Sequence, residues 1–439
     1  MECKLGDAMR GPGLAIVVVS AALLLASAGC AGGGAPRTVI TFPIGAAGAE
    51  SEITRRQLAR FMEEHPGIVV VSRPTPDSSD QRHQLYVQWL NARASDPDIL
   101  QLDIIWTPEF AAAGWLLPLE RFNPEIEDFF PASIESNRWQ GHLYALPWFV
   151  DVGMLYWRTD LLEEPPATFV DLLEQAQAAR ARSGLPYGFV WQGARYEGLI
   201  TVFLEILGGH GGSILDDSGS VAVDSPAAVS ALTFLTEAIH KHGIVPESVL
   251  TWQEEQTRFA FQNGQAVFMR NWPYACALLQ NAAESRVAGR FAVAPMPAAP
   301  GGSPTAALGG WQLAINANSD EPQAAYAVID YLMRPEQLLE RLRVAGTFPA
   351  RPSVYDHPGL AGELPVSPQQ VRRIIEAATP RPRTPVYTEL SQILQIWLHR
   401  ALTRQEEPAR ALSRAKRDMS ALLKRVGLVA EAEGGPGAI

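Results

Sequence analysis

Five residues of this chain combine a reactive or adhesive side chain with an unusual position. Asp103 interrupts the apolar run 99–106, and Asp151 interrupts the run 146–155. A carboxylate inside a buried strand is expensive unless it is paired or turned toward a polar cleft. Trp272 precedes Pro273, which keeps its neighbour extended and so can hold an indole as a rigid platform. Trp311 follows Gly309-Gly310, read as a turn whose bare backbone admits a ligand, with Gly310 at the point of approach. Arg351 lies between Pro349 and Pro352, a guanidinium fork on a stiffened segment. Carboxylates and guanidinium groups make charge-assisted bonds to hydroxyls, and aromatic faces cover the C–H face of a sugar ring. Such a set would suit capture of a polyhydroxylated ligand. Tyr274 could add an edge contact, and Phe149 could wall the cleft without a hydrogen bond. Glu255 is a weaker candidate, because paired acids opening a helix usually act as solvated caps. Each has a plainer reading: a buried structural Asp, a core aromatic, or a surface ion pair for Arg351.

The elements that must position these residues follow from hydrophobic period. Residues 38–42 alternate as a strand. Residues 52–64 read as a helix with Leu58, Phe61 and Met62 on one face, stopped by His65-Pro66-Gly67 before the β-branched run 68–71. A helix at 81–94 and a buried strand at 98–106 follow. This β-α-β rhythm predicts an α/β fold with a mostly parallel sheet covered by helices. Further helices are expected at 169–182, 196–207, 225–242 and 254–262, the last before a strand at 266–269. The final third holds helices at 322–333, 336–342, 385–402 and 408–426.

Bulk composition narrows the function. The 439 residues carry 36 Lys and Arg against 47 Asp and Glu, a net charge of −11, so no basic face exists for nucleic acid. The length suffices for two domains with full cores. Cys276 is alone in the body of the chain, because Cys3 and Cys30 lie in the first thirty residues, so no intrachain disulfide is expected there. No His/Cys set has metal-ligand spacing, His240 and His242 reading as a solvated helix end, and no cofactor is expected. The eleven tryptophans suit sugar binding, although core packing would also use them.

An apolar stretch at 14–28 follows a short basic start and ends in small residues before Cys30. It is too short for a confident membrane span and reads as a signal peptide. Ala28-Gly29-Cys30 resembles the lipobox of a bacterial lipoprotein, with Ser27 where leucine is usual. The resemblance implies cleavage before Cys30, lipid on that cysteine, and an exported protein held at the outer face of the membrane or in the periplasm. Residues 1–30 are then the leader, 31–37 a flexible Gly/Ala/Pro spacer and 429–439 a disordered tail. Met9-Arg10 makes a tidier start than Met1-Glu2.

Six phrases carry a wider resemblance: FMEEHPGIVV (61–70), LDIIWTPEFAAAGWLLPL (102–119), GHLYALPWFVDVGMLYWRTDLL (141–162), FAFQNGQAVFMRNWPYA (259–275), LGGWQLAI (308–315) and FPARPSVY (348–355). Their order and spacing resemble the extracellular solute-binding proteins of ABC sugar importers, maltose-binding class, trehalose/maltose branch. The resemblance implies a type II periplasmic-binding fold: two lobes, a hinge of several crossings and a ligand cleft between them. Crossings are expected near 149–155, 310–317 and 346–352. One lobe would be 38–148 plus 317–346, the other 155–309 plus 352–428. It also implies ligand roles for Asp103, Asp151, Trp272 and Trp311, and adds Glu50 and Arg82. A helix N-terminal charge is the plainer reading of Glu50.

The resemblance implies a monomer that captures an α-linked disaccharide, trehalose or maltose, and delivers it to the transmembrane subunits of an ABC permease. Another oligosaccharide or a polyol is the alternative ligand. A glycoside hydrolase would need two carboxylates about 5–10 Å apart astride the scissile bond. Asp103 and Asp151 could supply them by composition, but no G-x-S-x-G, P-loop or H-E-x-x-H is present, and no enzymatic activity is expected. A receptor that signals to a membrane sensor is the third reading.

Overall fold

The computed structural model describes residues 37–428, apart from 46–47, 77 and 361–366. The expected leader with its lipidation site Cys30, the spacer up to residue 36 and the tail 429–439 lie outside the described residues.

The strands Thr38–Gly45 (β1) and Ile68–Thr75 (β2) pair in parallel, joined by the helix Gly48–Glu64 (α1). The helix Ser79–Asn91 (α2) leads to the strand Ile99–Asp103 (β3). Two short helices, Thr107–Ala112 (α3) and Pro131–Glu135 (α4), precede a small ribbon of Arg138–Trp139 (β4) and His142–Leu143 (β5). The strand Ala145–Val152 (β6) then runs through Gly153 into Met154–Arg158 (β7).

The middle of the chain alternates as its periodicity requires. Thr168 and Asp171 form a capping box that opens Phe169–Ser183 (α5), followed by Tyr187–Val190 (β8) and Glu197–Gly209 (α6). Ser225 caps Pro226–His240 (α7), with proline in its favoured first turn. Glu254–Gln262 (α8), Ala266–Asn271 (β9), Ala275–Gln280 (α9) and Phe291–Ala294 (β10) follow. The chain returns along Ala307–Ile315 (β11) to Pro322–Leu332 (α10), Pro335–Ala345 (α11) and Phe348–Pro349 (β12). Pro368–Glu376 (α12), Thr379–Pro380 (β13), Tyr387–Leu402 (α13) and Pro408–Arg425 (α14) complete it.

A first sheet has the order β12-β6-β11-β13, with β3 also on β11, and a second has the order β10-β7-β9-β8. The second sheet shares one hydrophobic cluster with α5, α6, α7, α13 and α14. The expected parallel character is limited to β1–β2, β8–β9 and β11–β13. The reason is the route of the chain. β6 continues straight into the second sheet as β7, and β11 comes back along β6 and β3 in the reverse direction.

Where β6 becomes β7, only glycine fits. A Cβ on Gly153 would lie 1.7 Å from Glu205 Oε1 and 2.7 Å from Arg270 Nη2. Both belong to a fully buried ion pair, with Arg270 Nε donating to Glu205 Oε2 at 2.8 Å and Nη1 to Gln192 Oε1 at 3.1 Å.

Two expectations differ locally. Gly309-Gly310-Trp311 is not a turn but the middle of β11. Gly310 has φ +124°, and a Cβ there would stand 2.3 Å from the Phe149 carbonyl oxygen, so the close approach of β6 accounts for the glycine. The segment expected to return the chain to the second lobe at 346–352 instead pairs with β6, Phe348 opposite Val150. The following turn Pro352–Asp356 and α12 pack on α11 and β6. Val354 and Tyr355 are buried there, and the Tyr355 hydroxyl donates to the Pro349 carbonyl at 2.9 Å. The chain leaves the first sheet after β13, which pairs with the start of β11.

Candidate functional site

The register of the first sheet sets three candidates beside one another. Trp311 on β11 stands opposite Asp103 at the end of β3 and Phe149 on β6, and Gly309 stands opposite Asp151. A Cβ on Gly309 would be 3.4 Å from the Asp151 Cβ and 3.5 Å from the Trp272 ring, so glycine keeps the floor low between a carboxyl of the first sheet and an indole of the second. Trp272 arrives because β9 ends at Asn271 and Pro273 turns the chain.

Both indoles are half-buried and backed by a guanidinium. Arg270 stacks 3.8 Å from the Trp272 ring centre, and Trp272 Nε1 donates to Glu254 Oε1 at 3.3 Å. Arg82 stacks 4.3 Å from the Trp311 ring centre, with Trp106 edge-on at 5.8 Å. Arg82 is itself fixed by donating to the Pro76 carbonyl, 3.1 Å from Nη2. Cation–π contacts of this kind attract each guanidinium to its ring and favour the observed ring positions.

Asp103 is not free. Its Oδ1 accepts from Arg381 Nη2 at 2.8 Å and from the Ile105 amide at 3.3 Å. Arg381 Nη1 donates to Glu197 Oε1 at 2.9 Å, and Glu197 also accepts from the hydroxyls of Tyr387 and Ser391. Burial pushes the Glu197 carboxyl up, while Arg381 pulls it back. Glu50 accepts from Arg341 Nη2 at 3.3 Å, and Arg341 stacks on Trp148. Burial lowers the Arg341 guanidinium to about 10, with Glu50 opposing.

Asp151 differs from these carboxylates. Among the described residues no group donates a hydrogen bond to it. Burial pushes its carboxyl up to about 8, Glu50 and Asp103 add to the rise, Arg270 opposes it, and Glu254 adds again. Asp151 is half-buried by surface area yet enclosed on its flanks by protein.

The structure therefore brings Glu50, Arg82, Asp103, Asp151, Trp272 and Trp311 together, whereas the Cβ position of Gly310, expected at the point of ligand approach, is closed by the β6 backbone. Glu255 and Tyr274 are spent on each other, with the Tyr274 hydroxyl donating to Glu255 at 2.7 Å and Arg258 Nε donating to the same carboxylate at 3.0 Å. Glu254 rather than Glu255 reaches the Trp272 indole. Arg351 stands apart, stacked 4.3 Å from the Phe129 ring centre with Nη1 3.7 Å from Asp128 Oδ2. Arg381 is the guanidinium that meets Asp103, and sequence reading missed it. Its signal was the one used for Arg351: an arginine between prolines, here in the run 380–385.

Among the described residues no group of His, Cys, Asp and Glu could hold a metal ion, and no helix is long and apolar enough to cross a membrane. The arrangement can orient hydroxyls and stack a ring.

The sequence pattern of the bacterial extracellular solute-binding proteins matches residues 46–338. A probable ABC transporter-binding protein of Deinococcus radiodurans is 37% identical over 352 residues, which is 77% of this chain and 82% of the relative. Among solved structures, maltose-bound MalE3 of T. maritima is similar with a TM-score of 0.84 and 43% identity, over 88% of this chain and 100% of that one. An ABC transporter solute-binding protein of Thermotoga lettingae bound with α-D-tagatose has a TM-score of 0.80 at 26% identity, over 88% of this chain and 100% of that one.

Proposed function

The chain belongs to the bacterial extracellular solute-binding protein family, and on that premise we propose that it is the sugar receptor of an ABC importer, reversibly capturing an α-linked glucose disaccharide. Maltose and trehalose are the ligands this reading assigns to it. The observation that carries this reading is the meeting of Asp151, unpartnered, with Trp272 from the facing sheet across the bare floor of Gly309. A hydroxyl of the sugar donates to Asp151, and a ring lies on the indole. Asp103, held in place by Arg381, accepts from a second set of hydroxyls, and Trp311 stacks the second ring. The maltose carried by the T. maritima protein supports a ligand of this size.

The two sheets are the centres of two lobes, and the chain crosses between them at Gly153, at the start of β11 and after β13. The C-terminal lobe then takes 155–306 and 385–428, and 352–378 joins the other lobe. Closure on sugar is a hinge motion that prepares the face read by the permease. Cys30 carries the lipid that keeps the protein, as a monomer, at the outer surface of the membrane. Binding without turnover is the activity, in keeping with relatives that are binding proteins.

Calorimetric titration with trehalose, maltose, sucrose and maltotriose tests the reading. Micromolar or tighter binding of maltose or trehalose supports it. Preference for a polyol or a pentose oligosaccharide transfers the site to that ligand.

A further inference from the structure

Behind the Trp272 indole, three buried side chains bond edge to edge. Arg270 stands two residues before Trp272, on β9, and both Arg270 and Glu205 of α6 are wholly buried. Glu205 takes Arg270 Nε and Nη2 in a fork, and Gln192 takes Nη1. Gln192 in turn donates to the Arg270 carbonyl at 3.1 Å. The hydrogen bonds of a guanidinium lie in its plane, so bonds along its edges fix that plane and leave a face to stack. The Trp272 ring centre lies 3.8 Å from that guanidinium.

Glu205 is also fixed to the two crossing strands. Its Oε1 accepts from the Ala307 amide at 3.3 Å, at the start of β11. Where β6 becomes β7, its carboxylate fills the space that a Cβ on Gly153 would need. The Gly153 amide donates to the Ala307 carbonyl at 3.4 Å, so the two crossings are bonded to each other beside this carboxylate. The other bonds of Trp272 act elsewhere. Its amide donates to Asn271 Oδ1 at 2.8 Å, its carbonyl accepts from the Tyr156 hydroxyl at 2.6 Å, and its indole N–H goes to Glu254. These hold the backbone and one edge of the ring, and Arg270 lies against the face.

We propose that Glu205 is a positioning residue for the ligand platform: it ties the Arg270 guanidinium to the two crossing strands, and Arg270 sets the tilt of the Trp272 indole. The sugar reading enters only as the identity of what meets the indole. A buried ion pair adds little net stability over an apolar pair of the same volume. What this one supplies is orientation, carried from a carboxylate that touches no ligand to a ring that does.

Fluorine NMR of the protein labelled with 5-fluorotryptophan tests the tilt directly. Trp272→Phe removes, and so identifies, the Trp272 line among the eleven tryptophans. Without sugar, the wild type should give one sharp line for Trp272. Glu205→Gln should broaden or split it while circular dichroism shows the fold unchanged. Glu205→Asp keeps the buried charge but draws it back by one methylene, so it should show a smaller change of the same kind and decides if Glu205→Gln folds poorly. Maltose affinity is the second readout. Glu205→Gln should weaken maltose about tenfold, but by less than about twofold when Trp272 is already alanine. A sharp, unmoved line in both Glu205 variants, or an equal loss of affinity with and without Trp272, would overturn the proposal. A disturbed line together with wild-type maltose affinity in Trp272→Ala would sustain Glu205 as the residue that positions the indole and sink the sugar platform instead. Because the line is read without sugar, it decides even if the wild type takes no maltose.

Discussion

Arg381 Nη2 lies 2.8 Å from Asp103 Oδ1, and this ion pair ties the end of β3 to the segment that enters α13. Glu197 takes the other arm of the guanidinium at 2.9 Å. Arg381→Ala leaves the buried Glu197 and the partly buried Asp103 without their cation, and breaking a buried pair costs about 3–5 kcal/mol. Glu197, already pushed up by burial, takes up a proton and softens the loss. Urea unfolding measures it, and Arg381→Lys should recover only part, since an ammonium cannot fork to both carboxylates. A loss below about 1 kcal/mol would show the triad to be incidental to the fold.

The proposed reading makes Trp272 a sugar platform more than a core residue. Trp272→Ala removes the stack on Arg270, about 1–2 kcal/mol of folding stability. It should weaken sugar at least tenfold, about 1.4 kcal/mol for each factor of ten. Unchanged affinity with a large drop in Tm would return Trp272 to the core.

Asp151 carries a pH signature. Its folded value, about 8, lies above the ordinary 3.8, so the fold holds this proton more tightly than the unfolded chain does. The associated stability is full below about pH 4, declines as pH rises, and is lost above about 8. Asp151→Asn should remove that slope. A sugar hydroxyl donating to Asp151 favours the charged form, so binding near pH 7 should release protons. Titration in buffers of different ionisation heat detects this, and equal heats in all buffers would exclude a hydroxyl on Asp151.

Arg351→Ala should leave sugar affinity within about twofold of wild type, a few tenths of a kcal/mol. The stack on Phe129 is worth about 0.5–1 kcal/mol and should appear in Tm alone. A loss of affinity beyond tenfold would place Arg351 in the cleft after all.

Much of this architecture was legible in residue order. Helices such as α8, with Arg258 and Phe261 held inward, and α5, with its Thr168 cap, announce themselves by local period and capping. Asp103 and Asp151 were conspicuous because a carboxylate in an apolar run has few explanations. What escaped was pairing. Gly309-Gly310 has the composition of a turn, and only the approach of Phe149 makes it strand. Arg351 and Arg381 share a proline-flanked setting, and the choice between them depends on which one meets Asp103, 278 residues from Arg381. Glu254 and Glu255 are adjacent, and the position of the Trp272 indole decides which of them bonds to it.

The central claim is disaccharide capture between Asp151 and Trp272. Calorimetric titration of residues 31–439 and of its Asp151→Ala variant with maltose and trehalose tests it most directly. The account predicts micromolar or tighter binding of at least one sugar to the wild type, weaker binding of maltotriose, and a loss of about 2–5 kcal/mol in the variant. A variant that binds as the wild type does, or a wild type that takes neither disaccharide, would contradict it.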